Sequence, residues 1–132
     1  MNAVRQILTC DDVADDALLL QTILLADDCY VEIVDSGLAL LSFLETSLNL
    51  PDLLILDINM PVMDGFEVIT KIKQSDIFKN IPILVVTGLD ENYIQENINK
   101  NIDLKIDGYI QKPINVDSVL TLVKNILSKA RN

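Results

Sequence analysis

LLILDINMPVMDG, residues 53–65, is the stretch that decides the fold of this 132-residue chain. It opens with four apolar residues and then stops abruptly at Asp57. An unbroken apolar run of this length suits a central strand of a parallel sheet, because helices cover both faces of such a strand. Pro61 and Gly65 mark the loop that follows, and Phe66 lies in the next predicted helix. The stretch therefore predicts a buried strand with a carboxylate at its end.

Outward from this stretch, short apolar strands alternate with amphipathic helices. Strands are predicted at residues 5–10, 29–34, 53–56, 82–86 and 108–111. The first helix is predicted at residues 14–26, and later helices have candidate N-terminal caps at Ser36, Asp90 and Asn115. Five strand–helix units in strict alternation predict an α/β fold with a parallel sheet, helices on both faces and right-handed crossovers.

Helical spacing also predicts which side chains face the core. The first helix is expected to bury Ala17, Leu20 and Leu24. The second helix carries a leucine stripe that is expected to face the sheet, made of Leu38, Leu41, Leu44 and Leu48. Cys10 and Cys29 are expected to be small buried apolar residues.

Length, composition and charge exclude several classes of function. The chain has the length of one domain. Twenty acidic and ten basic residues give a formal net charge of −10, which argues against direct nucleic-acid binding. The sequence contains no histidine and only two cysteines, which argues against zinc sites and histidine-based catalysis. Neither a membrane-inserting run nor a signal-peptide pattern is present, so a cytoplasmic location is expected.

The charge is unevenly distributed along the chain. Residues 1–70 contain thirteen acidic residues and one basic residue, Arg5, whereas residues 71–132 contain seven acidic and nine basic residues. An acidic half of this kind attracts divalent cations or basic partners.

Polar residues stand where four of the apolar strands stop. They are Asp11, Asp12, Asp57, Thr87 and Lys112. The carboxyl ends of parallel strands meet at one edge of a sheet, so these side chains are expected to gather there. Two carboxylates ~4 Å apart repel by about 4 kcal/mol at an effective dielectric of ~20, which favours a bound cation. An all-oxygen site suits Mg²⁺ (or Mn²⁺), and Lys112 supplies a further positive charge.

This set of residues suits phosphoryl transfer to a carboxylate. Asp57 is expected to be the nucleophile and phosphoacceptor, because it lies at the centre of the sheet beside the loop. Asp11, Asp12 and Asp57 are the expected metal ligands, together with the backbone carbonyl of Asn59. Lys112 and the Thr87 hydroxyl would contact the transferred group.

The sequence resembles the receiver domain of bacterial two-component response regulators, of the stand-alone, CheY-like kind. The resemblance covers essentially the whole chain, and four motifs carry it: CDD (10–12), LLILDINMPVMDG (53–65), ILVVTG (83–88) and GYIQKP (108–113). It implies a flavodoxin-like (βα)₅ fold with strand order 2-1-3-4-5. It also implies that residues 1–132 form a single receiver domain without an effector domain.

The same resemblance implies a mechanism of signalling. A sensor histidine kinase or histidine phosphotransfer protein would phosphorylate Asp57 with Mg²⁺, and the only chemistry expected is this self-catalysed phosphorylation and its reversal. Thr87 and Tyr109 would be the switch residues, and the Lys112–Pro113 peptide bond would be cis. The surface of the fourth helix, last strand and last helix would then bind a downstream target protein. The protein would be a monomer or a phosphorylation-dependent dimer.

Two departures from the family pattern concern the segment after Thr87. Thr87 and Lys112 are 25 positions apart (112 − 87), slightly more than the resemblance leads one to expect, with the extra residues in 93–107. Leu89 places an apolar side chain where a polar one is more common near the mouth of the site.

Two other functions share part of this pattern. A haloacid-dehalogenase-type phosphatase also uses an aspartate at a strand end with Mg²⁺, but its second aspartate corresponds to Asn59 here. A flavodoxin-type FMN module needs a hydroxyl-rich and glycine-rich loop after the first strand, where this chain has Asp11 and Asp12. Turnover of a small phosphomonoester would distinguish the phosphatase from a receiver.

Overall fold

The computed structural model describes residues 4–100 and 104–130, and its central feature is one parallel sheet. The five strands are β1 (Arg5–Cys10), β2 (Cys29–Val34), β3 (Leu53–Leu56), β4 (Ile83–Thr87) and β5 (Gly108–Gln111). The five helices are α1 (Ala14–Leu25), α2 (Gly37–Thr46), α3 (Gly65–Lys73), α4 (Glu91–Lys100) and α5 (Val116–Ala130).

The strands lie in the order β2-β1-β3-β4-β5, and every pair is parallel. The predicted flavodoxin-like topology is therefore confirmed. In the register, Cys10 is opposite Leu56, and Thr87 is opposite Gln111. This alignment brings the residues that end or follow β1, β3, β4 and β5 to the same edge of the sheet.

Two apolar layers hold the helices on the sheet. One layer lies under α2, α3 and α4, and the other lies under α1 and α5. All four residues of β3 are buried, with alternate side chains in the two layers, which explains the unbroken apolar run at residues 53–56. No helix in the described part of the chain is both long and apolar enough to span a membrane.

Polar side chains cap the helices at the predicted positions. Ser36 Oγ accepts a hydrogen bond from the N–H of Ala39 at 3.1 Å. Asp90 and Asn115 make the equivalent bonds at the starts of α4 and α5. Each cap satisfies a backbone donor that the first helical turn leaves free, so these three predictions are confirmed.

The predicted leucine stripe of the second helix is wrong in two of its four members. Leu44 is buried and Leu41 is half-buried, but Leu38 is 61% exposed and Leu48 is fully exposed. The residues that α2 buries are Gly37, Leu40 and Leu44. The helix ends at Thr46, so Leu48 lies beyond it, and the packed face is rotated away from Leu38.

Other predictions about local structure need smaller changes. Ala17, Leu20 and Leu24 are buried as predicted, and so are both cysteines. The fourth strand runs one residue later than predicted and includes Thr87. The extra residues assigned to 93–107 lie partly outside the described residues, because α4 ends at Lys100 and residues 101–103 are not among those described.

Candidate functional site

Three carboxylates meet at the carboxyl edge of the sheet. One oxygen from each of Asp11, Asp12 and Asp57 lies within 4.8 Å of the other two. Asp11 and Asp57 are only 3% and 4% exposed, whereas Asp12 is exposed. Asp11 and Asp12 directly follow β1, and Asp57 directly follows β3, so neighbouring strands place them side by side.

Lys112 is the cation of this cluster. Its ammonium lies 2.8 Å from Asp11 Oδ2 and 3.0 Å from Asp57 Oδ2. It also lies 2.8 Å from Asp16 Oδ2, a contact that the sequence did not predict. Asp16 sits in the first turn of α1, five positions after Asp11, and this spacing was the one available signal.

Backbone N–H groups hold the two buried carboxylates in place. The N–H of Val13 donates to Asp11 Oδ1 at 2.9 Å, and the N–H of Asn59 donates to Asp57 Oδ1 at 3.1 Å. The Oδ2 atoms of both side chains bind Lys112. Each carboxylate is therefore oriented at both oxygens by a local turn and by the ammonium.

The pKa values of Asp11 and Lys112 are shifted by burial and by the charges that surround them. Burial raises the pKa of Asp11, and the negative charge of Asp57 adds to that effect, although the bonds from Lys112 and Val13 act in the opposite direction. For Lys112, burial acts to lower the pKa, but hydrogen bonds to Asp11, Asp16 and Asp57 raise it above its usual range. Lys112 is thus a permanent ammonium at neutral pH.

The donor set fits a divalent cation. Asp11, Asp12 and Asp57 offer three carboxylates within a few ångströms, and a single ammonium serves two of them as well as Asp16. Oxygen ligands of this kind are those that Mg²⁺ and Mn²⁺ prefer.

Thr87 lies at the end of β4 and is completely buried. Its hydroxyl makes no hydrogen bond to residues 4–100 or 104–130, which is unusual for a buried polar atom. Its carbonyl accepts a hydrogen bond from the N–H of Lys112 at 2.8 Å, so β4 is tied to the segment after β5. The Thr87 hydroxyl is thus available for a new acceptor at this edge.

Tyr109 lies in β5, and its ring packs in the apolar layer under α2, α3 and α4. Its ring is half-buried, and its hydroxyl donates to the carbonyl of Leu89. Burial raises the pKa of Tyr109, with smaller effects from Glu91 and Asp90. The Lys112–Pro113 peptide bond, which follows β5, is cis.

The loop after Asp57 packs tightly against the chain that precedes it. The N–H of Gly65 donates to the carbonyl of Ile58 at 2.8 Å. A Cβ atom added at Gly65 would lie 2.6 Å from Ile58 Cα and 2.7 Å from the Asp57 carbonyl oxygen. Only glycine permits this close approach, which positions α3 beside Asp57. Asn59 is exposed in the same loop.

Comparison with known families and structures gives a consistent result. The profile described as "Response regulator receiver domain" matches residues 7–124. The response regulator Rcp1 of Synechocystis sp. is 30% identical to this chain over 134 residues, which cover 96% of this chain and 89% of Rcp1.

Two solved structures extend the comparison. A CheY-like receiver domain protein from Methanospirillum hungatei superimposes with a TM-score of 0.85 at 26% identity, with 98% of each chain covered. The phosphorylated cyanobacterial phytochrome response regulator RcpA gives a TM-score of 0.76 at 29% identity, with 94% of this chain and 91% of that one covered.

Proposed function

This chain belongs to the response regulator receiver domain family of two-component signalling, and we propose that it accepts a phosphoryl group on the side chain of Asp57. The observation that carries the proposal is the position of Asp57. It lies at the end of the central strand, with one oxygen 3.0 Å from the ammonium of Lys112 and in a cluster with two further aspartates.

The donor is a phosphohistidine of a sensor histidine kinase or of a histidine phosphotransfer protein. A carboxylate oxygen of Asp57 attacks the phosphorus, a P–O bond forms, and the P–N bond to the imidazole breaks. The departing imidazole nitrogen keeps the electron pair of that bond and takes a proton from solvent. Lys112 bears a fixed positive charge beside Asp57, which opposes the negative charge that the phosphoryl group adds.

Asp11, Asp12 and Asp57 are the side chains that would hold Mg²⁺ (or Mn²⁺), with the carbonyl of Asn59 as a further ligand. The bound ion would neutralise negative charge on the phosphoryl oxygens. Lys112 and Asp16 support this arrangement from the other side, because the ammonium orients Asp11 and Asp57 together.

Thr87 and Tyr109 would convert the modification into a change of surface. A phosphoryl oxygen offers the acceptor that the buried Thr87 hydroxyl lacks among the described residues. A shift of Thr87 acts on residues 88–90, and the Leu89 carbonyl in that segment binds the Tyr109 hydroxyl. The ring of Tyr109 would then move and alter the face of α4, β5 and α5 that binds a downstream target.

The protein would act as a phosphoacceptor, without turnover of a small-molecule substrate. Its partners would be the phosphodonor protein and the target protein, with self-association limited to a phosphorylation-dependent dimer. Steady turnover of p-nitrophenyl phosphate would instead support a phosphatase.

The test is incubation with acetyl phosphate, with and without Mg²⁺, followed by intact mass spectrometry. We expect one phosphoryl increment in the wild type with Mg²⁺ and none for Asp57→Asn. The matched control is Asp35→Asn, which changes an exposed carboxylate directly after β2 and should label like the wild type. Labelling that persists in Asp57→Asn, or an unlabelled wild type with every phosphodonor, would contradict the proposal.

A further inference from the structure

A groove at the opposite end of the sheet has properties that phosphorylation of Asp57 does not explain. It lies at the amino ends of β4 and β5, where Pro82 and Asp107 directly precede the two strands, and its volume is about 830 Å³. We call it the lysine groove, because Lys73, Lys79, Lys105 and Lys129 line it. We propose that the lysine groove binds a compact polyphosphate anion joined to a flat apolar group, which is the chemistry of a nucleoside diphosphate or triphosphate.

The first support is the concentration of positive charge in an acidic protein. Four of the ten basic residues of the chain line this groove, and Asp107 is the one acidic residue among its described lining residues, so these side chains carry a net charge of +3 (4 − 1). Asp107 keeps its negative charge while its Oδ2 accepts the N–H of Ile83 at 2.7 Å, and the Lys79 ammonium lies 3.3 Å from the exposed carboxylate of Asp76. The chain as a whole has a formal net charge of −10, so the groove is a positively charged region on a negatively charged protein.

Two other clefts in the described part of the chain lack this concentration of positive charge. The cleft beside β5 and α5 contains Glu91 and Asp117 but no basic residue. The cleft between β2 and the end of α2 contains Glu32 and Asp52, again without a basic residue. An anion would therefore be repelled from these two clefts and attracted to the lysine groove.

The arrangement of the lysines favours a compact ligand over an extended chain. Lys73 ends α3 and Lys129 lies in the last turn of α5, while Lys79 and Lys105 come from the segments before β4 and β5. Four separate segments thus surround one concavity. The Lys73 ammonium also contacts the carbonyl of Lys79 at 3.2 Å, which links two sides of the groove.

The lysine head groups favour phosphate over carboxylate. Bidentate recognition of carboxylates is the property of arginine, and the described residues that line the groove include no arginine. Lysine acts as a point charge and is a common ligand of phosphate groups. An acidic peptide is therefore a poorer match than a phosphorylated small molecule.

Apolar residues in the lining supply the remaining recognition. They are Ile81, Pro82, Ile106, Leu122 and Ile126. Asn80 and Asn125 also line the groove, and their amides can donate and accept hydrogen bonds. Apolar lining residues together with a few polar groups are typical of small-molecule sites, and the volume falls within their range of roughly 300–1,000 Å³.

The test is calorimetric titration of the full chain with ADP, pyrophosphate and adenosine in EDTA, which keeps divalent cations from the acidic edge. We expect ADP to bind most tightly, with a Kd of ~0.1 mM, pyrophosphate more weakly and adenosine weakest. Amide chemical shifts on adding ADP should change at residues 79–81 and 104–107.

The decisive variant is Lys105→Gln/Lys129→Gln, which we expect to weaken ADP binding at least about tenfold. Its control is Lys71→Gln/Lys124→Gln, which removes two exposed lysines of α3 and α5 that do not line the groove and should bind like the wild type. Both variants change exposed residues, so thermal unfolding should match the wild type.

Four results would overturn the proposal: no binding of ADP or pyrophosphate at millimolar concentration, equal binding by the decisive variant, shifts confined to residues around Asp57, or binding of a glutamate-rich peptide in place of ADP. None of these results bears on labelling of Asp57 by acetyl phosphate, so the two proposals stand or fall separately.

Discussion

Thr9 illustrates how one atom can lower the stability of a core. It is completely buried in β1, on the sheet face that Ile7 shares, and its hydroxyl makes no hydrogen bond to the described residues. Burial without a partner costs a hydroxyl its hydrogen bonds to water. We expect Thr9→Val, which keeps the shape, to raise the free energy of unfolding by ~1 kcal/mol in urea denaturation.

The matched substitution is Thr70→Val in α3. Its hydroxyl donates to the carbonyl of Phe66 at 3.0 Å, so the same change removes a hydrogen bond that is made. This variant should lose stability by ~0.5–1 kcal/mol. A loss of stability in Thr9→Val as well would mean that its hydroxyl finds a partner in solution.

Cys10 is a thiol that should resist modification. Burial, together with the charges of Asp11, Asp35, Asp57 and Asp12, raises the pKa of Cys10 to about 12. The reactive thiolate is therefore almost absent at pH 8. In a Cys29→Ala background, we expect a disulfide reagent to label Cys10 of the folded protein no faster than the protein unfolds locally or globally. In urea, where the protein is unfolded, labelling should be immediate. Rapid labelling of the folded protein would contradict this prediction.

At the scale of an element, the start of α3 depends on the absence of a side chain at Gly65. A Cβ atom there would meet backbone atoms of Asp57 and Ile58 at 2.6–2.7 Å, which cannot move aside as a flexible side chain could. Overpacking of this kind outweighs the better helix propensity of alanine. We expect Gly65→Ala to lower the free energy of unfolding by ~2 kcal/mol and to slow labelling of Asp57.

Gly88 is the natural control, because a Cβ atom there would have no neighbour within 4 Å and the residue does not adopt a positive φ. Gly88→Ala should leave stability unchanged or raise it by ~0.5 kcal/mol, measured by the same urea midpoint. Equal losses for both variants would show that the close approach at Gly65 is not the cause.

The coupling of β4 to β5 can be tested at Thr87. We expect Thr87→Ala to accept the phosphoryl group on Asp57 as completely as the wild type, because its hydroxyl contacts no site carboxylate. The chemical-shift changes that phosphorylation causes at residues 108–111 should fall to less than half. Thr121→Ala, an exposed threonine of α5, is the control and should retain them. Unchanged shifts in Thr87→Ala would exclude this residue from the switch.

At the scale of the whole molecule, cation binding should increase the stability of the fold. Burial raises the pKa of Asp11 from 3.8, so without metal its contribution to stability falls as the pH rises through the range between the unfolded and folded values. A divalent cation bound beside Asp11 stabilises the ionised carboxylate and therefore offsets this loss of stability. At 10 mM Mg²⁺, a site with a Kd of ~1 mM adds about 1.4 kcal/mol, and the melting temperature should rise by ~4 °C.

Asp12→Asn is the variant for this experiment, because Asp12 is exposed and can be changed without disturbing the core. The melting temperature of this variant should rise little when Mg²⁺ is added. NaCl at equal ionic strength should raise the melting temperature of the wild type only slightly. An equal rise with NaCl would assign the effect to general screening of the −10 charge.

The sequence predicted those features that follow from local pattern. The apolar run at 53–56 identified the central strand, and the side chains of Ser36, Asp90 and Asn115 identified helix starts. The cluster of Asp11, Asp57 and Lys112 was predictable because strand ends meet at one edge.

Features that depend on tertiary packing escaped sequence reasoning. The face of α2 that is buried depends on how the helix rests on the sheet, so Leu38 was placed wrongly. The contact of Asp16 with Lys112 depends on the direction of a long side chain. The lysine groove draws on positions as far apart as Lys73 and Lys129, and no spacing along the chain links them.

The ion pairs of Lys112 have a consequence for biosynthesis. This lysine lies 101 positions after Asp11 and 55 positions after Asp57, yet it binds both. A ribosome releases the amino-terminal carboxylates first, and at ~5–20 residues per second several seconds pass before their counter-ion is made. The emerging chain is therefore strongly anionic and self-repelling, and β5 and Lys112 can join the carboxylates at the edge of the sheet only after residue 112 has been made.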